Sequence, residues 1–342
     1  MAALLVTGGA GFIGSNFIKY LLTRTPSLKV VNFDVLTYAG NMANNEGMDV
    51  YPNYIFVEAD IRDRVAVENA FRRYKISHVV NFAAESHVDR SIQDPNAFVT
   101  TNVVGTHVLL DVAKTNWKLA PEDKYSTEYL PGVKFVQVST DEVYGSLGST
   151  GAFVEDMPLL PNSPYSATKA SADLLVRAYH RTYGLPVNIT RCSNNYGPNQ
   201  FPEKLIPLMI YNCLKGKALP VYGDGTQVRD WIHVTDHCVA IEAVLERGQV
   251  GEVYNIGGNS ERTNVDVVRL IVRTLGKSEG LIEYVQDRLG HDQRYAIDCS
   301  KIEHSLGWKP QRSFEQGIQD TIQWYLSNEK WLVDVAGVKY RM

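Results

Sequence analysis

The chain has 342 residues, 44% of them hydrophobic and 21% charged, which is typical of a folded globular protein and excludes disorder as its dominant state. Its 34 basic and 38 acidic residues give a formal net charge of -4, which argues against a nucleic-acid-binding protein. No apolar run reaches the about 18 residues that a membrane span requires, and the length favours two domains.

Short apolar runs alternate with longer amphipathic stretches over the first half of the chain. Strands are predicted at residues 3–6, 29–33, 54–57, 78–82, 134–139 and 186–190. Helices are predicted between them at residues 12–23, 64–74, 97–114 and 165–183. Because strands and helices that alternate in this way form βαβ units, we expect an α/β domain over residues 1–192, built on a doubly wound parallel sheet.

The second half of the chain has a different texture, with proline and glycine dense near residues 196–207 and 219–226. Further helices are predicted at residues 202–215, 264–275 and 314–327, joined by short strands. We therefore expect residues 193–342 to form a smaller C-terminal α/β domain that holds the substrate. Residues 234–256 combine a helix with a strand-like Glu-Val-Tyr-Asn, so this segment is expected to return to the first sheet.

A glycine-rich loop follows the first predicted strand and opens directly into a helix. Gly8, Gly11 and Gly14 have the GxxGxxG spacing of a dinucleotide-binding turn, in which backbone N–H groups approach a pyrophosphate. Such a triplet alone can be a mere turn. The strand before it and the helix after it favour a Rossmann-type site at a helix N-terminus.

Two acidic residues lie where further cofactor contacts are expected. Asp34 ends the second predicted strand, where a carboxylate accepts hydrogen bonds from ribose hydroxyls and repels a 2′-phosphate, so NAD is favoured over NADP. The alternative for Asp34 is a helix N-cap. Asp60 and Ile61 follow the third strand, and an adenine contact and an N-cap at Asp60 remain equally open.

Asp141 and Glu142 follow the fifth predicted strand, within residues 139–145. Ligands of open α/β sheets bind beyond the carboxyl ends of the strands, and two carboxyls there can serve as an acid and a base if their surroundings separate their pKa values. The alternative is a solvated turn pair. The apolar Val143 and Tyr144 that follow favour the buried arrangement.

Tyr165 and Lys169 lie four residues apart on a predicted helix and therefore share a face. A neighbouring ammonium and a cationic nicotinamide favour the phenolate, so we expect the pKa of Tyr165 to lie below its usual value. Tyr-x-x-x-Lys also arises by chance. With the glycine loop before it and Thr140 in the position of a supporting hydroxyl, the pair predicts proton abstraction from an alcohol.

These motifs together resemble the extended short-chain dehydrogenase/reductase superfamily and, within it, the dTDP-glucose 4,6-dehydratases. The resemblance covers essentially the whole chain, and its most specific part is the Asp-Glu pair. Beyond the glycine loop it rests on residues 36–41, 83–91, 139–145, 162–165, 191–198, 202–207, 222–225, 228–233 and 290–292. One departure is Leu289, where the family often has proline, and this departure concerns the shape of the nucleotide loop.

The resemblance implies a mechanism. Tyr165, supported by Lys169 and Thr140, removes the C4 hydroxyl proton while hydride passes to a tightly bound NAD. Glu142 then takes the C5 proton, and Asp141 protonates the departing C6 hydroxyl. Hydride returns to C6 and C5 is reprotonated, so the product is a 4-keto-6-deoxy sugar nucleotide. Such a product belongs to deoxysugar biosynthesis, with rhamnose one candidate end product, and no metal is required.

The resemblance also implies binding residues. Further NAD contacts are Phe12, Ile13, Thr37, Ala83, Ala84, Thr101, Tyr165, Lys169 and Asn195, the last on the nicotinamide side. The implied substrate contacts are Ser86 and Asn194 for the hexose, Arg229 for the pyrophosphate, Lys204, Asn264 and His291 for phosphate or ribose, Pro220 and Tyr222 for the base, and also Thr140, Leu205 and Arg288. Surface ion pairs and core tyrosine packing are equally open for the second-domain residues taken singly.

Partners and rival functions complete the expectations. The resemblance implies a homodimer through a bundle of the helices at 97–114 and 165–183, and neither a nucleic acid nor a membrane is an expected partner. The four cysteines are widely spaced, so disulfides are not expected and a reducing cytoplasm is. A sugar-nucleotide 4-epimerase or decarboxylase, which has no task for Asp141, is the first rival. A non-catalytic NAD-binding sensor is the second.

Overall fold

A computed structural model describes residues 3–339, so the predicted domain limits at residues 1 and 342 lie outside the described part. Its strands, in chain order, are β1 (Ala3–Thr7), β2 (Lys29–Asp34), β3 (Tyr54–Glu58), β4 (Ile76–Asn81), β5 (Lys134–Thr140), β6 (Val187–Cys192), β7 (Asn194–Tyr196), β8 (Leu219–Tyr222), β9 (Val228–His233), β10 (Val253–Ile256), β11 (Glu261–Thr263) and β12 (Ile282–Val285). Its α-helices are α1 (Phe12–Arg24), α2 (Arg64–Tyr74), α3 (Val88–Gln93), α4 (Pro95–Phe98), α5 (Thr106–Trp117), α6 (Pro164–Tyr183), α7 (Leu205–Lys215), α8 (Val234–Arg247), α9 (Asn264–Thr274), α10 (Ser300–Leu306), α11 (Phe314–Ser327) and α12 (Glu329–Lys339).

The central sheet has seven parallel strands in the order β10-β6-β5-β4-β1-β2-β3. Every residue of β1, β5 and β6 is buried, because helices cover both faces of the sheet. One face packs on α1 and α8 through side chains such as Phe17 and Ile241, and the other packs on α2, α5 and α6 through Phe71, Leu109 and Val176. The predicted Rossmann-type α/β class is confirmed.

A second group of elements lies beyond the carboxyl ends of the central strands. It contains a three-stranded sheet, β11-β9-β7, and the parallel pair β12-β8. Helices α7, α9 and α11 pack on them around a core that includes Ile210, Ile271 and Ile318. The chain also returns once to the first sheet, where β10 pairs with β6 after α8. The division into two domains at residue 192 stays a prediction.

Two predicted helices differ from the helices that the structure shows. The helix predicted at 97–114 is three segments, because a π-helical stretch, Val99–Gly105, lies between α4 and α5. Within that stretch the side chain of Asn102 accepts a hydrogen bond from the amide of Glu85 and donates one to its carbonyl, and π-turns are frequent at functional sites. The helix predicted at 202–215 begins only at Leu205, because the backbone of Lys204 is extended.

The described residues contain neither a membrane-spanning helix nor a metal-binding cluster. None of the helices within residues 3–339 is both long and apolar enough to cross a bilayer. In the same part of the chain, His, Cys, Asp and Glu side chains form no group of three or more that could hold a metal ion.

Candidate active site

A cavity of about 450 Å³ opens at the carboxyl ends of the central strands. It collects residues that follow β1 to β6, far apart in the sequence. Its lining includes every catalytic residue and every NAD contact predicted above, and also the predicted hexose contacts Ser86 and Asn194 and the predicted phosphate contact Lys204.

The glycine loop forms one wall of this cavity in the shape that its sequence predicts. Gly8 has a positive φ of 69°, which glycine adopts without strain. A Cβ on Gly14 would lie 2.3 Å from the carbonyl oxygen of Gly8, so only glycine allows α1 to start this close to the loop. Gly11 is the N-cap of α1 and supplies no side-chain cap, which leaves the backbone N–H groups of the first turn for an anionic group.

Asp34 is held rigidly beside that loop. Its carboxylate accepts hydrogen bonds from the amide of Ala10 at 2.9 Å and from the amide of Leu36 at 2.8 Å. Burial raises the pKa of Asp34, and these two amides oppose the rise. Loop residues follow Asp34, so the N-cap alternative is wrong for it.

Asp60 lines the same cavity near the end of β3. The helix-cap alternative is wrong here as well, because Asp63 caps α2 by accepting a hydrogen bond from the amide of Ala66. Asp60 instead forms an ion pair with Arg62, at 2.6 Å between Oδ2 and Nη2. Its contact with adenine stays a prediction.

The two predicted acid–base residues lie on one short turn. A single 3₁₀ turn, Asp141–Tyr144, follows β5, and Thr140 caps it by accepting a hydrogen bond from the amide of Glu142 at 3.3 Å. The Thr140 hydroxyl also donates to Oδ1 of Asp141 at 3.2 Å. Asp141 is only 2% exposed, so the solvated-turn alternative is wrong. Its Oδ2 is buried and has no hydrogen-bond partner among the described residues.

The surroundings of Asp141 and Glu142 act differently on their two carboxyls. Burial raises the pKa of Asp141 well above its usual value, and the negative charges of Glu142 and Asp230 raise it further. Burial also raises the pKa of Glu142, but three nearby cations oppose that rise, namely Lys204, Arg229 and Arg288. Asp141 is thus suited to hold a proton, and Glu142 is suited to accept one.

Tyr165 and Lys169 face the cavity from the first turns of α6, which begins after a capping box at Ser163. The Lys169 ammonium donates to the carbonyl of Val138 at 2.7 Å, which fixes it against β5. Burial, followed by the charge of Glu142, raises the pKa of Tyr165 well above 10, although the Thr140 hydroxyl opposes the rise. The expectation that the pKa of Tyr165 lies below its usual value is therefore wrong when only the protein's own groups act on it. A cationic ring in the cavity would oppose this rise.

The remaining predicted substrate residues lie outside the lining of this cavity. They are Leu205, Pro220, Tyr222, Arg229, Asn264, Arg288 and His291. Arg229 is nearly buried, 4.3 Å from the ring centre of Tyr295, and donates to the carbonyls of Val228 and Asp292. Since its charge still lowers the pKa of Glu142, it lies close to the acid–base turn.

Arg288 joins the two parts of the molecule through an ion pair. Its guanidinium forms two hydrogen bonds with Asp89 of α3, at 2.5 and 2.9 Å, and the Tyr222 hydroxyl donates to the same carboxylate at 3.3 Å. His291 is paired with Asp287 at 2.6 Å. The ion-pair alternative is therefore present for Arg288, and its contact with the substrate stays a prediction.

Known proteins match this chain along its whole length. The sequence model of the family described as GDP-mannose 4,6 dehydratase matches residues 5–321. The dTDP-glucose 4,6-dehydratase of Xanthomonas campestris pv. campestris (strain B100) is 54% identical, covering 100% of this chain and 98% of the relative. The dTDP-glucose 4,6-dehydratase of Bacillus anthracis, solved in complex with NAD, is 53% identical with a TM-score of 0.88, covering 98% of this chain and 100% of that one.

The chain belongs to the dTDP-glucose 4,6-dehydratase family. A third relative, the dTDP-glucose 4,6-dehydratase of Streptomyces venezuelae with NAD and dTDP bound, is 48% identical with a TM-score of 0.91, covering 97% of this chain and 99% of that one. The UDP-glucose 4-epimerase of Thermus thermophilus shares the fold at only 30% identity. The 4-epimerase alternative is therefore wrong. Since dTDP-glucose 4,6-dehydratases are hydro-lyases, the non-catalytic sensor alternative is wrong too.

Sequence reasoning missed several residues that line the cavity in this member of the dTDP-glucose 4,6-dehydratase family. They are Arg62, Glu85, Cys192, Ser193, Gln200, Phe201 and Glu203. Position supplied a signal for some of them, because Glu85 lies in the loop that follows β4 and Cys192 is the last residue of β6. Arg62 lies in the loop after β3 and forms an ion pair with Asp60, a tertiary detail that its sequence position did not indicate.

Proposed function

We propose that this chain dehydrates dTDP-glucose to dTDP-4-keto-6-deoxyglucose with NAD as a cofactor that is regenerated in each turnover. The observation that carries the proposal is the pair of Asp141, which is buried, and Glu142, which is partly buried: both line the cavity that Tyr165 lines, and their pKa values are raised unequally. An oxidation at C4 alone has no use for two such carboxyls, whereas an elimination across C5 and C6 needs an acid and a base. The relatives that match over the full length support the sugar and the nucleotide.

The cavity fits NAD by an observation of its own. The first turn of α1 offers free N–H groups where a Cβ on Gly14 would collide, and Asp34 lies beside it with a fixed carboxylate. These residues would hold the pyrophosphate and the adenosine ribose. The chemistry that NAD supplies when bound is the uptake of a hydride from C4 and its return to C6.

The chain's own residues would move the protons. Tyr165 would take the C4 hydroxyl proton. The Thr140 hydroxyl would stabilise the resulting phenolate by a hydrogen bond, and the Lys169 ammonium, fixed against β5, would support it from the same helix. The C4 ketone acidifies the proton on C5, and Glu142 would remove it. Asp141 would donate its proton to the C6 hydroxyl, which leaves as water, and its unpartnered Oδ2 is suited to that donation. C5 would regain a proton as the hydride returns to C6.

The sugar nucleotide would extend from this cavity towards the second group of elements. Ser86 and Asn194 line the cavity and would hold the hexose. Arg229 and Arg288 would neutralise the diphosphate, because guanidinium groups bind such oxygens in pairs. The remaining predicted residues would contact the phosphate, the ribose or the base. They are Lys204, Leu205, Pro220, Tyr222, Asn264 and His291.

The test is turnover of defined sugar nucleotides. Purified protein incubated with dTDP-glucose is expected to give a 4-keto product that absorbs in strong alkali, with no net gain of reduced cofactor. UDP-glucose and GDP-mannose, assayed at the same concentration, are the matched controls for the base and the sugar. Recovery of dTDP-galactose, or preferred turnover of either control, would contradict the proposal.

We also propose a homodimer, in the cytoplasm, that serves deoxysugar biosynthesis such as the route to rhamnose. Helix α6 packs against the π-helical segment, and on these two elements Val99, Val104 and Leu174 are each about half exposed. Apolar side chains on neighbouring helices are typical of a bundle between subunits. All four cysteines are free and buried, which suits a reducing compartment. Sedimentation equilibrium is expected to give twice the chain mass, and a monomer would contradict the dimer.

A further inference from the structure

The acid–base turn ends in a tyrosine that does not line the cavity and that no step above uses. Tyr144 is the last residue of the turn, and its buried ring stacks on Phe153 with the ring centres 4.8 Å apart. Its hydroxyl donates to Oδ1 of Asn255 at 2.8 Å and accepts a hydrogen bond from Nη1 of Arg191, also at 2.8 Å. Both hydrogen bonds are buried, so this phenol is held at a fixed point.

The two partners of this hydroxyl belong to the central sheet. Arg191 of β6 is in register with Ser139 of β5 on one side and with Asn255 of β10 on the other. Asn255 is itself fixed, because its side-chain amide donates to the carbonyl of Phe153 at 3.0 Å. The Tyr144 hydroxyl is therefore attached to a row of three adjacent strands that cannot move independently.

Arg191 is also fixed from the opposite side. Its Nε donates to Oδ2 of Asp173 at 2.9 Å, and both side chains are almost fully buried. Asp173 lies four residues after Lys169 on α6 and therefore on the same helix face. Because Arg191 uses different nitrogens for Asp173 and for Tyr144, the Tyr144 hydroxyl can be removed while the ion pair next to Lys169 is kept.

The turn that carries the two carboxyls is thus held at both ends. Thr140 of β5 holds its start, and the Tyr144 hydroxyl holds its end. On the basis of the proposed function, we propose that Tyr144 is a positioning residue for the elimination half of the reaction. Its hydroxyl, held by Arg191 and Asn255, keeps Glu142 and Asp141 aimed at C5 and C6, and it has no part in the C4 oxidation.

The test is the Tyr144→Phe variant, which keeps the stacked ring and loses only the hydroxyl. Exchange of the C5 proton with solvent deuterium is expected to fall about 10- to 100-fold, as expected when a reacting group is misplaced by about 1 Å. Transient formation of reduced cofactor in a single turnover is expected to stay within about twofold of the wild type, because Tyr165, Lys169 and Thr140 keep their contacts.

Tyr254→Phe is the matched control. Tyr254 is also buried, and its hydroxyl accepts a hydrogen bond from the amide of Gln249 at 2.9 Å, but it lies on β10 and not on the acid–base turn. It is expected to lower the melting temperature as Tyr144→Phe does and to leave both half-reactions unchanged. Equal C5 exchange in the two variants, or an equal loss of both half-reactions in Tyr144→Phe, would overturn the role of Tyr144.

Arg191→Lys provides a second, independent variant. Lysine keeps a cation for Asp173, yet it lacks the fork that reaches both Asp173 and Tyr144, so the same selective loss of C5 exchange is expected. This variant decides the question if Tyr144→Phe does not fold. If the wild type and both variants exchange the C5 proton equally fast, the positioning role alone is refuted. A wild type that neither exchanges C5 nor turns over dTDP-glucose refutes the proposed function, and the positioning role with it.

Discussion

Glu142→Gln is expected to lower turnover of dTDP-glucose by about 10²- to 10⁴-fold, which is the usual contribution of a positioned general base. Glutamine has the same shape but cannot accept the C5 proton. Deuterium incorporation at C5, followed by mass spectrometry in single turnovers, is expected to vanish, while transient reduced cofactor still forms. Retained exchange in this variant would remove Glu142 as the base.

Asp141→Asn is the matched control for that experiment, because it changes the neighbouring carboxyl on the same turn. It is expected to keep C5 exchange and to lose the release of water from C6.

The pH dependence has a definite sign. Since the pKa of Glu142 is raised above its usual value, C5 exchange should fall as the pH is lowered through a region above the ordinary range of a glutamate.

Tyr165→Phe is expected to abolish transient formation of reduced cofactor, with a loss of about 10²-fold or more, because no other group replaces the phenol as the proton acceptor at C4. The ring should stay in place, since it packs edge-on against Phe98 at 6.3 Å between ring centres. Stopped-flow absorbance of the reduced cofactor measures the effect. Binding of NAD, measured by calorimetry, is expected to remain near that of the wild type.

Tyr179→Phe is the control for this second variant. Tyr179 lies on the same helix, α6, and its hydroxyl bonds to Nδ1 of His107 outside the cavity. It should leave the transient unchanged. An undiminished transient in Tyr165→Phe would refute the assignment of this phenol.

The sequence predicted the part of the site that local rules determine. Gly8, Gly11 and Gly14 are constrained by backbone geometry. Asp34 ends one strand and Glu142 follows another, and the carboxyl ends of these strands must lie at one edge of a parallel sheet. Alternation of apolar and amphipathic segments was sufficient for the sheet itself. The predicted elements differ from the observed ones mainly at their ends.

Properties set by distant partners could not be predicted in the same way. The raised pKa of Tyr165 results from burial and from the charge of Glu142, neither of which is visible from the four-residue spacing to Lys169. The pairing of Arg288 with Asp89 joins residues almost two hundred positions apart. Motif spacing reports local neighbours, whereas these effects depend on tertiary packing.

The return of β10 to the edge of the central sheet constrains how the molecule can come apart. The backbone passes between the two groups of elements five times: between β6 and β7, between β9 and α8, between β10 and β11, and on either side of α10, which packs on α8 and β10. A chain cut after residue 192 would leave the first half without the strand that covers β6. Both groups should consequently melt in one transition, because any movement of one group against the other has to bend these five backbone connections together.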